Sequence, residues 1–151
     1  MHPPEEIAGV VRSLHHIAIA VESIEAVRTV YERGLGLAAG EIEPVPEEKV
    51  NVLVLHAGGQ RIELVEPAAP DSPVHAFLER RGGGLHHVAF EVGDVDAAVR
   101  ELRAGGVRIA GDGAGPGAHG TRIAFVHPRS AGGVLVELVQ DPRTSRAGDD
   151  G

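Results

Sequence analysis

An eight-residue segment occurs twice in this chain, and this repeat limits the possible folds more than any other property of the sequence. Residues 14–21 read LHHIAIAV and residues 85–92 read LHHVAFEV. Each copy is followed by an amphipathic stretch that begins after a helix N-cap residue, Ser23 or Asp94, and ends at glycine. Two apolar runs rich in β-branched residues then follow in each half and predict strands. They cover residues 50–55, 61–65, 121–126 and 134–139.

Self-similarity of this kind marks a duplicated structural unit, so the chain is predicted to fold as two tandem βαβββ modules. The predicted fold class is α+β, with the modules forming an open, cupped, mixed β-sheet. Between them, Ser72 as an N-cap followed by Pro73 predicts a short linker helix. The predicted parts are a flexible tail at 1–12, module one at 13–67, the linker helix at 72–81, module two at 84–141 and a second flexible tail at 142–151, with 13–141 forming one domain.

The charge and composition of the chain exclude several classes of partner. A net charge of −8 and the lack of a basic run argue against binding to nucleic acid or to an anionic membrane. The chain has no cysteine, so neither disulfides nor thiolate metal ligands are available. No apolar stretch approaches the ~18 residues of a membrane span, and the first residues are acidic where a targeting peptide would be basic. We therefore expect a cytoplasmic protein with a small-molecule partner.

The two histidine strands each place one histidine on an open surface. Side chains of a strand alternate between its faces, so His16 shares a face with Ala18 and Ala20, while the larger apolar residues lie opposite. In the repeat, His87 shares a face with Ala89 in the same way. The large apolar face belongs against the helix, which leaves His16 and His87 on a concave surface. The preceding histidines, His15 and His86, are expected to point toward the helices in packing or hydrogen-bonding roles.

One acid lies between apolar neighbours in the last strand of each half. Glu63 follows His16 by 47 residues and Glu137 follows His87 by 50, so the pairs hold equivalent places in the repeat. A buried carboxylate is costly unless it is paired or coordinated. Each residue alone has an ordinary structural explanation, but the repeated pairing predicts that all four surround one metal ion. Two imidazoles and two carboxylates suit one divalent ion, Co, Ni, Mn or Zn.

Three segments of the chain resemble the vicinal oxygen chelate superfamily, which pairs βαβββ units around a His, Glu, His, Glu ligand pattern. They are LHHIAIAV at 14–21, ELVEPAAPDSPVHAFLERRGGGLHHVAFEV at 63–92 and GAHGTRIAFVHPRSAGGVLVEL at 117–138. Within it, the chain is most similar to the methylmalonyl-CoA epimerases. The resemblance implies a glyoxalase-like fold and the metal ligands His16, Glu63, His87 and Glu137. Some epimerases carry a further glutamate in the first half, but the aligned residue here is Val52, so that role cannot be carried over.

The resemblance also implies the reaction. The expected activity is metal-dependent epimerisation of methylmalonyl-CoA, which interconverts the 2R and 2S forms through a metal-stabilised enolate. Glu137 and Glu63 are the expected acid/base groups. The acyl-CoA substrate is expected to contact four residues, one of them in the glycine-rich loop at 111–120. They are His119, Arg122, Arg129 and Leu135. The family and the exposed strand edges of such a fold favour a homodimer.

Other functions remain open on the sequence alone. A glyoxalase I-type lactoylglutathione lyase, or another metal-dependent enzyme of the superfamily, is the alternative, because it can use the same four ligands. The segments DSPV at 71–74 and HPRSAGGVLVEL at 127–138 resemble the epimerases instead. An extradiol dioxygenase uses iron held by two histidines and one carboxylate, so Glu63 as a fourth ligand argues against it. A non-enzymatic binding protein would not need four metal ligands at equivalent positions of the two repeats.

Overall fold

The computed structural model describes residues 10–143, and they form nine strands and three α-helices. The first half contains β1 (Val11–Ala20), α1 (Ile24–Thr29) with a π-helical turn (Val30–Gly34), β2 (Ala38–Ala39), β3 (Glu43–Val45), β4 (Val50–Ala57) and β5 (Gln60–Pro67). The linker helix is α2 (Pro73–Arg81). The second half contains β6 (Gly84–Val92), α3 (Val95–Ala104), β7 (Gly115–Pro116), a 3-10 turn (Ala118–Gly120), β8 (Arg122–Val126), a second 3-10 turn (Pro128–Ser130) and β9 (Val136–Gln140). The predicted α+β class is confirmed.

The described chain divides into two compact units, which we call the first unit (residues 16–87) and the second unit (residues 10–15 and 88–143). In the first unit, β1 pairs in parallel with β5, β5 pairs antiparallel with β4, and β4 pairs with both β2 and β3. In the second unit, β6 pairs in parallel with β9, β9 pairs antiparallel with β8, and β8 pairs with β7. The same pairing pattern therefore occurs twice, as the repeat predicts.

The first half departs from the prediction of three strands after each helix. Its outermost strand is divided into β2 and β3, which contact different parts of β4. The break falls at residues 40–42, which begin with Gly40, and a glycine in the interior of a strand weakens it. The division of this strand is therefore a correction to the sequence prediction. The second half has three strands after its helix, as predicted.

The three helices begin at the residues that the sequence indicates. Ser23 Oγ accepts a hydrogen bond from Ala26 N at 3.2 Å, and Asp94 Oδ1 accepts one from Ala97 N at 3.1 Å. Ser72 Oγ accepts from Val74 N in the linker helix, which ends at Gly82 with a positive φ of 75°. Glycine adopts this left-handed conformation without a steric penalty, which explains the sharp end of the helix.

Each unit buries the face of its sheet that carries the large apolar side chains. In the first unit, Ile24 of α1 packs in one cluster with Leu53 and Leu64. In the second unit, Val95 of α3 packs with Leu138. Leu64 and Leu138 directly follow Glu63 and Glu137 in their strands, so the two glutamates occupy the opposite face of each sheet. The predicted assignment of the two strand faces is confirmed.

The ends of the chain were predicted to be flexible tails at 1–12 and 142–151. Residues 1–9 and 144–151 lie outside the described part, and β1 already begins at Val11. Along the described residues 10–143, no helix combines the length and the apolar character that crossing a lipid bilayer requires.

Candidate metal and catalytic site

The two candidate glutamates occupy the same place in their units. In the parallel pair of β1 and β5, Ala18 lies opposite Glu63, and in the parallel pair of β6 and β9, Ala89 lies opposite Glu137. Each alanine follows a candidate histidine by two residues and shares its face of the strand. Both carboxylates are buried, with 7% of Glu63 and 5% of Glu137 exposed. The register of the strands therefore places each glutamate on the same face of the sheet as its histidine.

Three of the four predicted ligands form a buried cluster in the first unit. His16 Nε2 lies 3.1 Å from His87 Nε2, and the two rings meet edge to face. The carboxylate of Glu63 lies beside the ring of His16, with Oε2 at 3.3 Å from Nδ1. Two imidazole nitrogens that bind one first-row ion at adjacent positions are about 2.9–3.4 Å apart. The separation of the two Nε2 atoms therefore fits a shared metal ion.

Glu63 faces the ring nitrogen of His16 that points away from His87. An imidazole binds a metal through one nitrogen, and the other N–H of a metal-bound histidine commonly donates to a carboxylate that fixes the ring. With His16 bound through Nε2, Glu63 in this position would accept such a bond from Nδ1–H. Direct coordination by Glu63 would need its carboxylate or the His16 ring to turn. Its role as a ligand stays a prediction.

Glu137 belongs to the second unit, where it lies between Val136 and Leu138 on β9 and opposite Phe125 on β8. Burial of a carboxylate among such neighbours is unfavourable unless a polar or charged partner compensates it. This environment suits a metal ligand or a proton-transfer group. The assignment of Glu137 to the metal and to catalysis stays a prediction.

The histidines that precede the candidate ligands have the predicted structural roles. His86 packs edge to face against Phe77 of the linker helix, with ring centroids 4.9 Å apart. Its Nδ1 also lies 2.8 Å from His87 Nδ1, so that one nitrogen donates and the other accepts. This bond occupies Nδ1 of His87 and leaves Nε2 directed at His16. A hydrogen bond of this kind orients a metal-binding ring.

His15 forms a buried hydrogen bond that the sequence did not reveal. Its Nε2 lies 2.8 Å from Asp141 Oδ2, and Asp141 is fully buried. Arg143 also binds Asp141, through its backbone N–H at 3.0 Å and its guanidinium at 3.0 and 3.1 Å. Burial alone would raise the pKa of Asp141, but the bonds from Arg143 and His15 outweigh it and hold this pKa well below its usual range. The only signal for this role was an acid directly after an apolar strand, which is too common to be specific.

We expect Asp141→Asn to lower the free energy of unfolding by about 2 kcal/mol at pH 7, because charged hydrogen bonds in a buried place are replaced by neutral ones. A carboxyl whose pKa is depressed by folding stabilises the protein above its unfolded pKa of about 3.9, and this contribution is lost as the pH falls. The difference between the wild type and the variant should therefore shrink below pH ~4. Urea denaturation at several pH values measures it. Asp96→Asn, which removes an exposed ion pair, is the control and should cost much less. An equal cost in the two variants would contradict the assignment.

The four predicted substrate contacts lie in different surroundings. His119 is half-buried in the 3-10 turn and has a positive φ of 58°, which is uncommon for a residue other than glycine. Arg129 is exposed in the turn before β9, and Leu135 is half-buried directly before that strand. Arg122 lies on the helix side of β8 and makes two hydrogen bonds to Asp96, at 2.8 and 2.9 Å. Its pairing supports a structural role, so its contact with substrate stays a prediction without support from this geometry.

A further acid lies on the same face of β6 as His87. Glu91 is buried, and its Oε2 accepts a hydrogen bond from Ser13 Oγ at 3.1 Å. Its other oxygen, Oε1, has no hydrogen-bond partner among residues 10–143. The alternation of the strand indicates this position from sequence, but the burial of the carboxylate is visible only in the structure. The residue that corresponds to Glu91 in the first half is Ala20.

Comparison with known proteins gives consistent matches. The family model described as the Glyoxalase/Bleomycin resistance protein/Dioxygenase superfamily matches residues 15–125. The mitochondrial methylmalonyl-CoA epimerase of Bos taurus is 42% identical over 128 residues, which are 84% of this chain and 73% of that protein. The crystal structure of methylmalonyl-CoA epimerase from Mycobacterium tuberculosis has a TM-score of 0.84 and 34% identity, over 91% of this chain and 94% of that one.

A solved structure of a methylmalonyl-CoA epimerase in complex with methylmalonyl-CoA and NH4+ is similarly close. Its TM-score is 0.80 at 35% identity, and the match covers 85% of this chain and 94% of that one.

Proposed function

Because the chain belongs to the glyoxalase/bleomycin resistance protein/dioxygenase superfamily and, within it, to the methylmalonyl-CoA epimerases, we propose that it interconverts the 2R and 2S forms of methylmalonyl-CoA. The observation that carries this proposal is the buried cluster of His16, His87 and Glu63, which lies where the repeat predicts a metal site. The resemblance to an epimerase solved with methylmalonyl-CoA supports an acyl-CoA substrate.

We propose that His16, Glu63, His87 and Glu137 together hold one divalent ion, Co, Ni, Mn or Zn. The 3.1 Å separation of the two Nε2 atoms supports two of these ligands. The equivalent register of Glu63 and Glu137 supports the other two, since each lies opposite the alanine that follows a histidine on the same strand face. When bound, such an ion would act as a Lewis acid for negative charge on the oxygens of the substrate.

Epimerisation requires one proton to leave the α-carbon and another to return on the opposite face. That carbon lies between a thioester and a carboxylate, so loss of its proton leaves an enolate. Glu137 accepts the proton in the proposed mechanism, and Glu63 returns one from the other side as a carboxylic acid, which does not bind the ion while it is protonated. Their equivalent places in the two halves of the repeat support this opposed arrangement. The reverse reaction exchanges the two roles, so no net proton is consumed.

Two small side chains lie beside the proposed ligands. Ala18 and Ala89 lie on the ligand faces of their strands and leave room for an acyl group. His119 and Leu135 are candidates to contact the substrate, and Arg129, which is exposed, is a candidate to bind a phosphate of coenzyme A. The homodimer and the cytoplasmic location stay predictions.

Exchange of the α-proton of methylmalonyl-CoA in deuterated water tests this function. The protein should incorporate deuterium at the α-carbon and equilibrate the two epimers, and a chelator should reduce the rate by about 10²-fold or more, because the charge on the substrate oxygens then lacks its cation. Activity should return when one of the four metals is added back. Mass spectrometry and NMR of the substrate measure both quantities.

Two outcomes would contradict the proposal. An unchanged rate after removal of all bound metal, verified by elemental analysis, would exclude the metal-dependent mechanism. A protein that leaves methylmalonyl-CoA untouched but isomerises the hemithioacetal of methylglyoxal and glutathione would instead be a lactoylglutathione lyase.

A further inference from the structure

We propose that Glu66 and Gln140 are positioning residues that hold each glutamate strand in register with its histidine strand. The inference rests on the proposed metal site, because the register decides whether Glu63 and Glu137 face their histidines. Neither residue was a candidate on the sequence. Within residues 10–143, neither makes a hydrogen bond or an ion pair with a proposed ligand, so both act through other groups.

The same hydrogen bond occurs in both units with different residues. Glu66 Oε1 accepts from the backbone N–H of Ile24 at 2.8 Å, and Gln140 Oε1 accepts from the backbone N–H of Val95 at 3.0 Å. Ile24 and Val95 are the first residues of α1 and α3. In each unit a side chain at the end of the glutamate strand therefore binds the start of the helix that follows the histidine strand.

The positions of these bonds repeat residue by residue. Each acceptor follows its glutamate by three residues, from Glu63 to Glu66 and from Glu137 to Gln140. Each donor follows its histidine by eight residues, from His16 to Ile24 and from His87 to Val95. In both halves the bond therefore joins the end of the glutamate strand to the start of the helix that follows the histidine strand. The acceptor is a glutamate in one half and a glutamine in the other, so the two halves share the hydrogen bond but not the residue type.

These bonds differ from the ordinary caps of the same helices. The first N–H groups of a helix lack partners within it. Ser23 satisfies one of these groups within its own helix, and Asp94 does so in α3. Glu66 and Gln140 reach theirs from a different strand, so only they connect two elements. Loss of Ser23 or Asp94 would weaken a helix end, whereas loss of Glu66 or Gln140 would also release the strand.

Register is important here because strand side chains alternate with a period of two. A slip of β5 against β1 by one residue would turn Glu63 to the face that packs against α1. The last backbone bond of this pair before the helix joins Val21 N to Val65 O at 2.9 Å. The hydrogen bond from Ile24 N to Glu66 Oε1 adds one more connection to β5 just beyond this backbone bond. Smaller shifts of the same kind would move the carboxylate away from the ring of His16.

The second unit shows that a negative charge is not required, because Gln140 makes its bond with a neutral amide oxygen. Glu66→Gln should therefore keep the bond in the first unit, and Glu66→Ala should remove it. Ser23→Ala is the matched control, since it removes a hydrogen bond from the same helix end without touching β5. Gln140→Ala and Asp94→Ala form the corresponding pair in the second unit.

The experiment measures Co²⁺ affinity by calorimetry, at a temperature where each variant is folded, and the Tm of the metal-free protein. We expect Glu66→Ala to weaken Co²⁺ binding by about 10-fold, the scale found for residues that orient metal ligands. Ser23→Ala should lower the Tm by ~3 °C but change the affinity by less than about 2-fold. Glu66→Gln should bind Co²⁺ like the wild type. Equal losses of affinity in Glu66→Ala and Ser23→Ala would overturn the positioning role.

A metal-free readout separates this inference from the proposed function. Amide hydrogen exchange of Val21 in the metal-free protein should accelerate by about 10-fold in Glu66→Ala and much less in Ser23→Ala, because only the former frees the end of the strand pair. A wild type that binds no Co²⁺ would contradict the proposed metal site, even if the amide exchange of Val21 accelerates only in Glu66→Ala. Unchanged exchange of Val21 in Glu66→Ala would overturn the register role, even with a metal bound.

Discussion

Replacing Glu137 by glutamine is expected to reduce α-proton exchange on methylmalonyl-CoA by roughly 10³-fold, the scale of lost acid/base catalysis. The fold should be unchanged, because glutamine has nearly the size of glutamate and Glu137 lies in a well-packed strand. Some metal should remain bound, since an amide oxygen can coordinate although it cannot take up a proton. Deuterium incorporation and elemental analysis of the same sample test both statements together.

Glu63→Gln is the matched variant in the other half of the repeat. Glutamine cannot return a proton, but we expect a smaller loss of α-proton exchange because Glu137 can still remove the α-proton. The amide oxygen of glutamine can also still bind the metal or accept a bond from His16 Nδ1, which lies 3.3 Å from the Glu63 carboxylate. Wild-type exchange in a metal-loaded Glu137→Gln protein would show that the base lies elsewhere. An inactive Glu63→Gln beside an active Glu137→Gln would show that the principal acid/base group lies in the first half instead.

Replacing His16 by alanine is expected to weaken metal binding by more than about 100-fold, because it removes a ligand rather than a group that supports one. Activity should fall with the metal. His87→Ala should have the same effect, since the Nε2 atoms of the two rings face each other. Calorimetric titration with Co²⁺ or Zn²⁺ and the exchange assay measure the two losses.

His56→Ala is the control for general effects of removing a histidine, because His56 is exposed on β4. It should bind metal and exchange the α-proton like the wild type. Metal binding by His16→Ala at wild-type affinity would show that His16 is not a metal ligand. A loss in His56→Ala as large as that in His16→Ala would mean that the titration reports adventitious sites.

The parts of the structure that follow from local rules could be predicted from the sequence. Ser23, Asp94 and Ser72 mark their helices because an N-cap needs only neighbouring backbone groups. The repeat then assigned the strands, and alternation placed His16 and Glu63 on one face. The contact between His16 and His87 was predictable because the repeat relates two residues that are 71 positions apart.

Details that depend on side-chain orientation were beyond the sequence. No pattern specifies that Glu63 faces Nδ1 of His16, because ring rotation leaves the strand unchanged. Arg122 was assigned to substrate from its place in the chain, but its pairing with Asp96 depends on the packing of α3. The link between His15 and Asp141 joins residues that are 126 positions apart without a repeat relation between them. The break between β2 and β3 falls at residues 40–42, where Gly40 is too common a residue to mark it in the sequence.

The short outermost strands of both units bear on how the protein behaves at high concentration. In the first unit the edge consists of β2 with two residues and β3 with three, and in the second unit it consists of β7 with two. Pro44 and Pro116 lie in these pieces. Long regular edges invite strands of other molecules to pair with them, and such brief, proline-containing edges discourage it. These outermost strands therefore give no support to the expectation that strand edges join two copies into a homodimer, and they discourage aggregation by strand addition along them.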